Sequence, residues 1–473
     1  MNLTGIDQVA EAVGGRLVGP DGLAALAGQV VGRVTTDSRA VAAGDLFVAL
    51  KGDRFDGHAF VAAAVSAGAV AAIVSQPIEL PPLARPVGLI LVRDTLAALG
   101  RLATWYRSKL PATVIAVTGS NGKTTTKSMI EHMLGKDRRV AASPKSFNNS
   151  IGVPLTLLSA DASHDVVVCE IGSNAPGEIA ALGAIVRPDI AVIVSISETH
   201  LERLRSLEGV ATEKASLLGQ LAPGGIGIVN GDKPLLLAAA KNYPCNLVRF
   251  GNDPQADMVL GELVTTADGL RFTINSADRV KLPLLGAHNA MNGLAAITVG
   301  RRLGLSVAEA AARLADFAPP PMRLQRMRVG GIDVINDAYN ANPASMAAAL
   351  EVFSDIPCRK GGRGGGRKVF LCGDMLELGP NSEAFHYQLG QRIAGTGVSR
   401  LIAVGKFSEA VVSGACQAGL AASATARFAK TEDLVEKMDE VLRPGDLVLL
   451  KGSRGVALER VLEALQRKVV EKG

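Results

Sequence analysis

Apolar residues along this chain fall into short runs separated by glycine-bearing turns and by longer stretches with helical spacing. Residues 1–93 hold the runs VTTDSR, DLFVAL, VAAIVS and VGLILV, read as strands around one alanine-rich helix, with prolines clustered between Pro77 and Pro86. The helical stretch TLAALGRLATWYRSKL opens a second block, 94–320. There TVIAVTG is β-branched and bounded by glycine, and TTTKSMIEHMLGK follows with helical spacing. DVVVCEIG, IAVIVSIS, GIGIVNGD and NLVRFG are apolar enough to lie covered on both faces of a parallel sheet. MVLGELVTTADGLRFTI alternates instead and predicts a hairpin turning near Asp268 and Gly269. Helices are predicted over 288–305 and 307–317, after which APPP cannot continue a helix and marks a linker. The third block, 321–473, alternates again through GIDVIND, KVFLCGD, RLIAVG and GDLVLLKG, which predicts a second doubly wound sheet. The fold class expected is α/β in three domains: a small amino-terminal one, a central parallel sheet of the P-loop type, and a Rossmann-like carboxyl-terminal one.

Composition excludes more than it selects. At 473 residues the chain is too long for one core, and 48% hydrophobic content suits α/β packing. Aromatic content of 4% leaves little for base-stacking platforms, and the net charge of +5 is spread out except at Arg359 to Lys368. That balance speaks against a dedicated nucleic-acid binder. The insert CRKGGRGGGRK reads as a low-complexity surface loop. Five cysteines without CxxC spacing suggest reduced thiols and a cytoplasmic protein. MNLTGIDQVAEAVGG has no secretory pattern, and no apolar run reaches membrane-spanning length, so neither export nor membrane insertion is expected.

The stretch AVTGSNGKTTTKSM carries the chemistry. A buried strand ending at Thr118, a turn through Gly119, Ser120, Asn121 and Gly122, and a helix starting at Lys123 form an anion cradle. Lys123 is placed to reach terminal phosphates, and Thr124 or Thr125 to hold Mg²⁺. The general P-loop has an earlier glycine where Val117 stands here. Glu170 and His200 follow neighbouring strands, where ligands of open parallel sheets gather, and a carboxylate there suits a second Mg²⁺. A helix predicted over 207–221 puts Lys214 on an apolar stripe with Leu207, Val210, Ala211, Leu217, Leu218 and Leu221. Such a lysine either snorkels, pairs with Glu170 or Glu202, or is converted by CO₂ to an anionic carbamate. Periodicity alone favours the first two.

TGSNGKTT, CEIG, THLERL, EGVATEK, GAHNAMNGLAAI, INDAYNANPAS and LLKGSR occur in the order seen in Mur ligases, which the whole chain resembles. These ATP-dependent amide-forming enzymes build the peptidoglycan precursor and use the short loop without the early glycine. TTDSRAVAAGDLFVALKGDRFDGHAF, SFNNSIGVPLTLL, DAYNANPASM and CGDMLELGPNSEAFHYQLG are similar to the branch that adds a terminal dipeptide, and no DNPR-type motif of the third-residue branch is present.

The resemblance implies a UDP-binding first domain and, as partners, UDP-N-acetylmuramoyl-tripeptide and D-Ala-D-Ala, acted on by a monomeric cytoplasmic ligase. It implies that Thr118 to Thr125, Asn289, Asn292, Arg323 and Asp337 contact ATP. Thr124, Glu170, His200 and a carbamylated Lys214 would serve two Mg²⁺ ions. Lys123, His200, Lys214 and Arg323 would be catalytic. Ser38 and Arg39 would contact UDP, Asn148 and Asn149 the muramoyl peptide, and Tyr339, Asn340, Asn342 and Ser345 the dipeptide. Closure about Ala318 to Arg323 would join the ATP contacts. The chain departs from the family at Ser197-Glu198-Thr199, where something like Gly-Pro-Ala is usual, and at Met322, where a glycine usually precedes the arginine. The readings set beside this one are a third-residue ligase, a folylpolyglutamate-synthase-like ligase and a regulatory P-loop ATPase. Cys372 reads as a core thiol, Gly361 to Gly366 as a solvated loop, and His288 as a structural or base-stacking residue.

Overall fold

The computed structural model describes the chain except residues 2–3, 19–25, 27, 53–54, 81–85, 267, 358–365 and 473. Residues 358–365, which include Cys358 and most of the glycine-rich insert, thus lie outside the described residues. Three larger sheets follow one another along the chain, as the α/β three-domain reading expects. The first has the order Arg16–Val18, Gly88–Leu91, Ala71–Val74, Asp45–Val48, Arg33–Thr35 and is parallel except for its first pair. Asp45–Val48 and Ala71–Val74 are buried throughout; all their residues are apolar except Asp45, whose buried carboxylate is paired with Arg33. The helix Ile6–Val13 is an element that the pattern of runs did not reveal.

In the central sheet, Thr113–Thr118 lies between Val166–Glu170 and Ile190–Ile193, parallel to both. Strands Ile226–Asn230, Asn246–Gly251 and Met258–Thr266 continue on the Ile190–Ile193 side in parallel. The predicted hairpin follows, with Gly269–Ile274 antiparallel to Met258–Thr266, and Asp278–Leu282 adds a further antiparallel strand. The chain leaves Thr118 on one side and returns on the other, so the phosphate loop sits at a topological switch point. Apolar packing runs from Val9, Ile90 and Leu99 into Val114, Leu157 and Ile193, so the first two sheets share one core.

The third sheet has the order Gln325–Val329, Ile332–Asn336, Leu447–Lys451, Lys368–Gly373, Arg400–Val404, Thr425–Phe428, antiparallel only at its first pair. Its two faces have their own cores, around Phe353, Phe370 and Leu449 and around Val334, Val448 and Leu450. Cys372 is a buried core thiol here, pushed up to about 12 by burial.

The helix predicted over 207–221 is shorter. It ends at Ala215 and tightens into the 3₁₀ turn Ser216–Gln220. Ser216 Oγ donates to the Glu213 carbonyl at 2.6 Å, a local bond that competes with the helical ladder. Glu213, buried in that helix, accepts from the backbone N–H groups of Gly177 and Ile179, both at 2.7 Å, at the start of helix Glu178–Val186. Glu213→Ala is therefore expected to cost about 2 kcal/mol by orphaning two donors, readable as a lower denaturant midpoint. An unchanged midpoint would mean that water replaces the carboxylate.

In the expected hinge, Met322 (φ 58°) and Leu324 (φ 50°) flank Arg323 in left-handed backbone, which costs about 1–2 kcal/mol per non-glycine residue. A glycine would adopt φ 58° freely, so the departure at Met322 is structurally real. Met322 is held there by its N–H to Gln325 Oε1 and by accepting from Tyr339 N–H, both at 3.3 Å.

Candidate active site

Strand Thr113–Thr118 ends in the loop, and helix Lys123–Leu134 begins after Gly122, which has φ 84°. A Cβ on Gly122 would lie 2.2 Å from Asn292 Oδ1. Gly122→Ala is expected to weaken nucleotide binding about tenfold or more by displacing Asn292, which titration with a fluorescent ATP analogue would read.

The serine-bearing segment where the family pattern is broken braces this loop. Ser120 N–H donates to Ser195 O at 2.9 Å, and Asn121 N–H to Ser195 Oγ at 2.9 Å. Asn121 Nδ2 donates to Ser197 Oγ at 3.0 Å, and Ser197 N–H to Ser120 Oγ at 2.9 Å. These hydroxyls make Ser195 and Ser197 part of the loop's scaffold, although neither was legible as a site residue. Lys123 Nζ donates to the loop carbonyls of Gly119 (2.6 Å) and Ser120 (3.2 Å). Burial, aided by the charge of Arg323 and opposed by Glu170, pushes its amine down to about 8.

A cavity of about 1350 Å³ opens over the loop between the central and third sheets. It exceeds the roughly 300–1,000 Å³ of a drug-sized site, so it has room for more than one ligand. From the central sheet it is lined by Ser120 to Thr125, Asn148, Asn149, Glu170, His200, Asn289 and Asn292. From the third sheet come Arg323, Asp337, Tyr339, Asn340, Asn342 and Ser345. Thr118, Gly119, Lys214, Ser38 and Arg39 do not line it. Arg39 pairs with Asp37 at 2.8 Å on the exposed rim of the first sheet. His288 lines the cavity beside Asn289. Asn289 Nδ2 donates to Leu285 O (2.7 Å), and Asn292 Nδ2 to Asn289 Oδ1 (2.8 Å), so the two amides form one chain along a helix face.

Arg323 reaches from the third sheet to the phosphate loop, donating to Thr124 Oγ1 at 2.8 Å and stacking over the Tyr339 ring at 4.3 Å. Thr124 Oγ1 also meets Ser146 Oγ at 3.0 Å. Asn342 Nδ2 donates to Asn121 Oδ1 at 2.8 Å, while its own Oδ1 caps helix Pro343–Asp355 through Ser345 N–H. Asp337 pairs with Lys451 at 2.5 Å. The pattern hid Lys451, because it ends an apolar strand. His200 Nδ1 hydrogen-bonds Glu377 Oε2, and this bond holds the Glu377 carboxyl below its usual range.

Glu170 Oε1 accepts from Asn148 Nδ2 at 2.8 Å, whereas its buried Oε2 has no partner. Lys214 is 1% exposed, so it does not snorkel. Its amine makes no hydrogen bond or ion pair among the described residues, which sets aside pairing with Glu170 or Glu202. Burial, with the charge of Lys123, pushes it down to about 7 against the pull of Glu213. No group of three His, Cys, Asp or Glu side chains that could hold a metal occurs among the described residues. No helix among them is long and apolar enough to cross a membrane.

Family models match three segments: the Mur ligase family catalytic domain at 30–107, the Mur ligase middle domain at 117–300, and the Mur ligase glutamate ligase domain at 322–454. The UDP-N-acetylmuramoyl-tripeptide–D-alanyl-D-alanine ligase of Bacillus subtilis (strain 168) is 38% identical, covering 97% of this chain and 98% of its own. Among solved structures, MurF from Acinetobacter baumannii superposes with TM-score 0.85 at 30% identity over 98% of this chain and 99% of its own. MurF ligase from Thermotoga maritima in complex with ADP gives 0.78 at 28% identity over 93% and 98%. A switch-point phosphate loop facing an arginine from a second α/β sheet thus occurs in a chain matched along most of its length, and the protein belongs to the Mur ligase family.

Proposed function

We propose that this protein joins D-Ala-D-Ala to UDP-N-acetylmuramoyl-tripeptide at the expense of ATP, in the cytoplasm, where ATP is supplied. The observation that carries the reading is the shared cavity. The phosphate loop with Lys123 forms one wall, and Arg323, Asp337 and Tyr339 from the third sheet form the other. The dipeptide is chosen because full-length relatives at 38% and 36% identity are named for that reaction.

A carboxylate is a poor electrophile. Transfer of the γ-phosphoryl group of ATP to the terminal carboxylate of the tripeptide gives an acyl phosphate and ADP. The dipeptide amine then attacks the acyl carbon, and the tetrahedral adduct expels phosphate and sheds a proton. Lys123 in the loop and Arg323 from the third domain both border the cavity, placed to stabilise charge on the transferring phosphoryl group. Asn289, Asn292 and Asp337 are assigned to the nucleotide. Asn148 and Asn149 are assigned to the muramoyl peptide, and Tyr339, Asn340, Asn342 and Ser345 to the dipeptide. Ser38 and Arg39, outside the cavity, are assigned to the UDP end of a substrate long enough to reach the first domain. Domain limits are taken at 93/94 and 320/321.

The donor set suits Mg²⁺, which favours oxygen ligands and keeps several from phosphate and water. Thr124 Oγ1 and the unpartnered Glu170 Oε2 would hold it, and it would neutralise phosphate charge. The unpartnered Lys214 amine, whose proton is loosened by burial and by the charge of Lys123, is suited to carbamylation, which would turn it into an anionic group able to support the metals. Arg323→Ala is expected to lower kcat about 100-fold or more with the fold intact, measured as phosphate release.

The test of the reading is phosphate release with ATP, Mg²⁺ and UDP-N-acetylmuramoyl-tripeptide, with and without D-Ala-D-Ala, and the mass of the product. Dependence on the dipeptide and a product one dipeptide heavier are expected. Dependence on a free diamino acid would instead make it the third-residue ligase, and release needing neither would leave an ATPase.

A further inference from the structure

Glu377 belongs to the third domain, and His200 to the central one, yet they meet in the cavity wall. Both are non-glycine residues in left-handed backbone, His200 at φ 55° and Glu377 at φ 63°. Strained backbone on both sides of one contact persists only where the surroundings hold it. The loop carrying Glu377 is pinned by the two residues just before it. Met375 N–H donates to the buried ring of His386 at 2.8 Å, and Leu376 N–H to Ser453 Oγ at 2.9 Å. Gly379, at φ 70°, lets the loop lie against Glu202, whose Cα would be 3.3 Å from a Cβ there. His386 Nδ1 in turn is bonded to Ser382 O at 2.6 Å, so that ring is fixed by both nitrogens.

A carboxylate only accepts, so the bond to Glu377 places the Nδ1 proton of His200 on the third-domain side. Nε2 makes no hydrogen bond among the described residues and is the nitrogen left for ligands in the cavity. We propose that Glu377 is a positioning residue for His200: it fixes the tautomer and turn of the ring, and does so only when the third domain is docked on the central one. This rests on the ligase reading above. It makes the correct presentation of His200 conditional on domain docking, so that the ring is aligned when both substrates are enclosed. A remote carboxylate orienting a histidine is worth about 10- to 100-fold where such supporting partners have been removed.

The experiment is a double-mutant cycle in the full-length protein, with kcat and the KM for ATP measured in dipeptide-dependent phosphate release. Glu377→Ala is expected to lower kcat about 10- to 100-fold with the KM for ATP within about threefold of wild type. Glu377→Gln, which can still accept from Nδ1–H, is expected to recover most of the loss. In a His200→Ala background, Glu377→Ala should change kcat by less than about twofold, because the residue it positions is gone. Multiplicative losses in that background, no recovery in Glu377→Gln, or a Glu377→Ala kcat within threefold of wild type would each overturn the assignment. Wild-type turnover separates the two readings. If it does not depend on the dipeptide, the ligase reading fails. If it does and the losses multiply, only the role of Glu377 fails.

Discussion

Lys123→Ala is expected to lower kcat about a thousandfold while leaving the melting temperature within a few degrees of wild type. The amine sits inside the phosphate loop, bonded to the carbonyls of Gly119 and Ser120, and those carbonyls can turn to water when it is removed. What cannot be replaced is a compact positive charge at the loop mouth, bordering the cavity that Arg323 also borders. Lys123→Arg should fail nearly as badly, since a planar guanidinium is longer and forked where the cradle encloses a point charge. Single-turnover phosphate release would read the loss. A variant that retained a tenth of wild-type turnover would move the main charge stabilisation to Arg323.

Lys214→Met is expected to abolish ligation and, at the same time, to stabilise the purified, non-carbamylated protein. The amine is buried without a partner, and burial pushes it from 10.5 to about 7. Between those values the unfolded chain binds the proton that the folded chain releases. The stability of the wild type therefore rises with pH across that window, and the penalty is complete below about pH 7. Methionine fills similar volume without the penalty. The gain should be a few kcal/mol at or below pH 7 and should fade as pH approaches 10.5. Chemical denaturation of both proteins at several pH values checks the sign. A less stable Lys214→Met protein, or a gain that grows with pH, would mean that the amine is partnered in solution. Added bicarbonate should shrink the gain if the carbamate forms, because an anion beside Lys123 offsets the cost of burial.

The two expectations differ in how much sequence could say about them. Lys123 was legible because strand, glycine turn and helix are local, and a lysine in that order has one chemistry. Lys214 was legible only as an anomaly on an apolar stripe. Periodicity offered snorkelling or pairing, and neither occurs, because whether an amine finds water or a carboxylate depends on which elements cover it. Ser195, Ser197, Glu377 and Lys451 escaped for a related reason. Serine after a strand, or lysine at the end of an apolar run, has no periodic signature, and each gains a role only through a partner far along the chain.

Local physics in the sequence determined the elements themselves. Continuous β-branched runs made covered parallel strands, TTADG made the hairpin, and GSNGKTT made a loop that cradles anions, whereas the helix expected over 307–317 stops at Leu314, before APPP is reached. These outcomes depend on torsional preference and burial within a few residues of each other. Tertiary structure alone decided the rest: the strand order that put Thr118 at a switch point, the docking of the third sheet that brought Arg323 to Thr124, and the opposition of Glu377 to His200. Those contacts span separations over which no local preference acts. They are set by which apolar faces find each other, and the polar groups at the rim become a site only once that packing is complete.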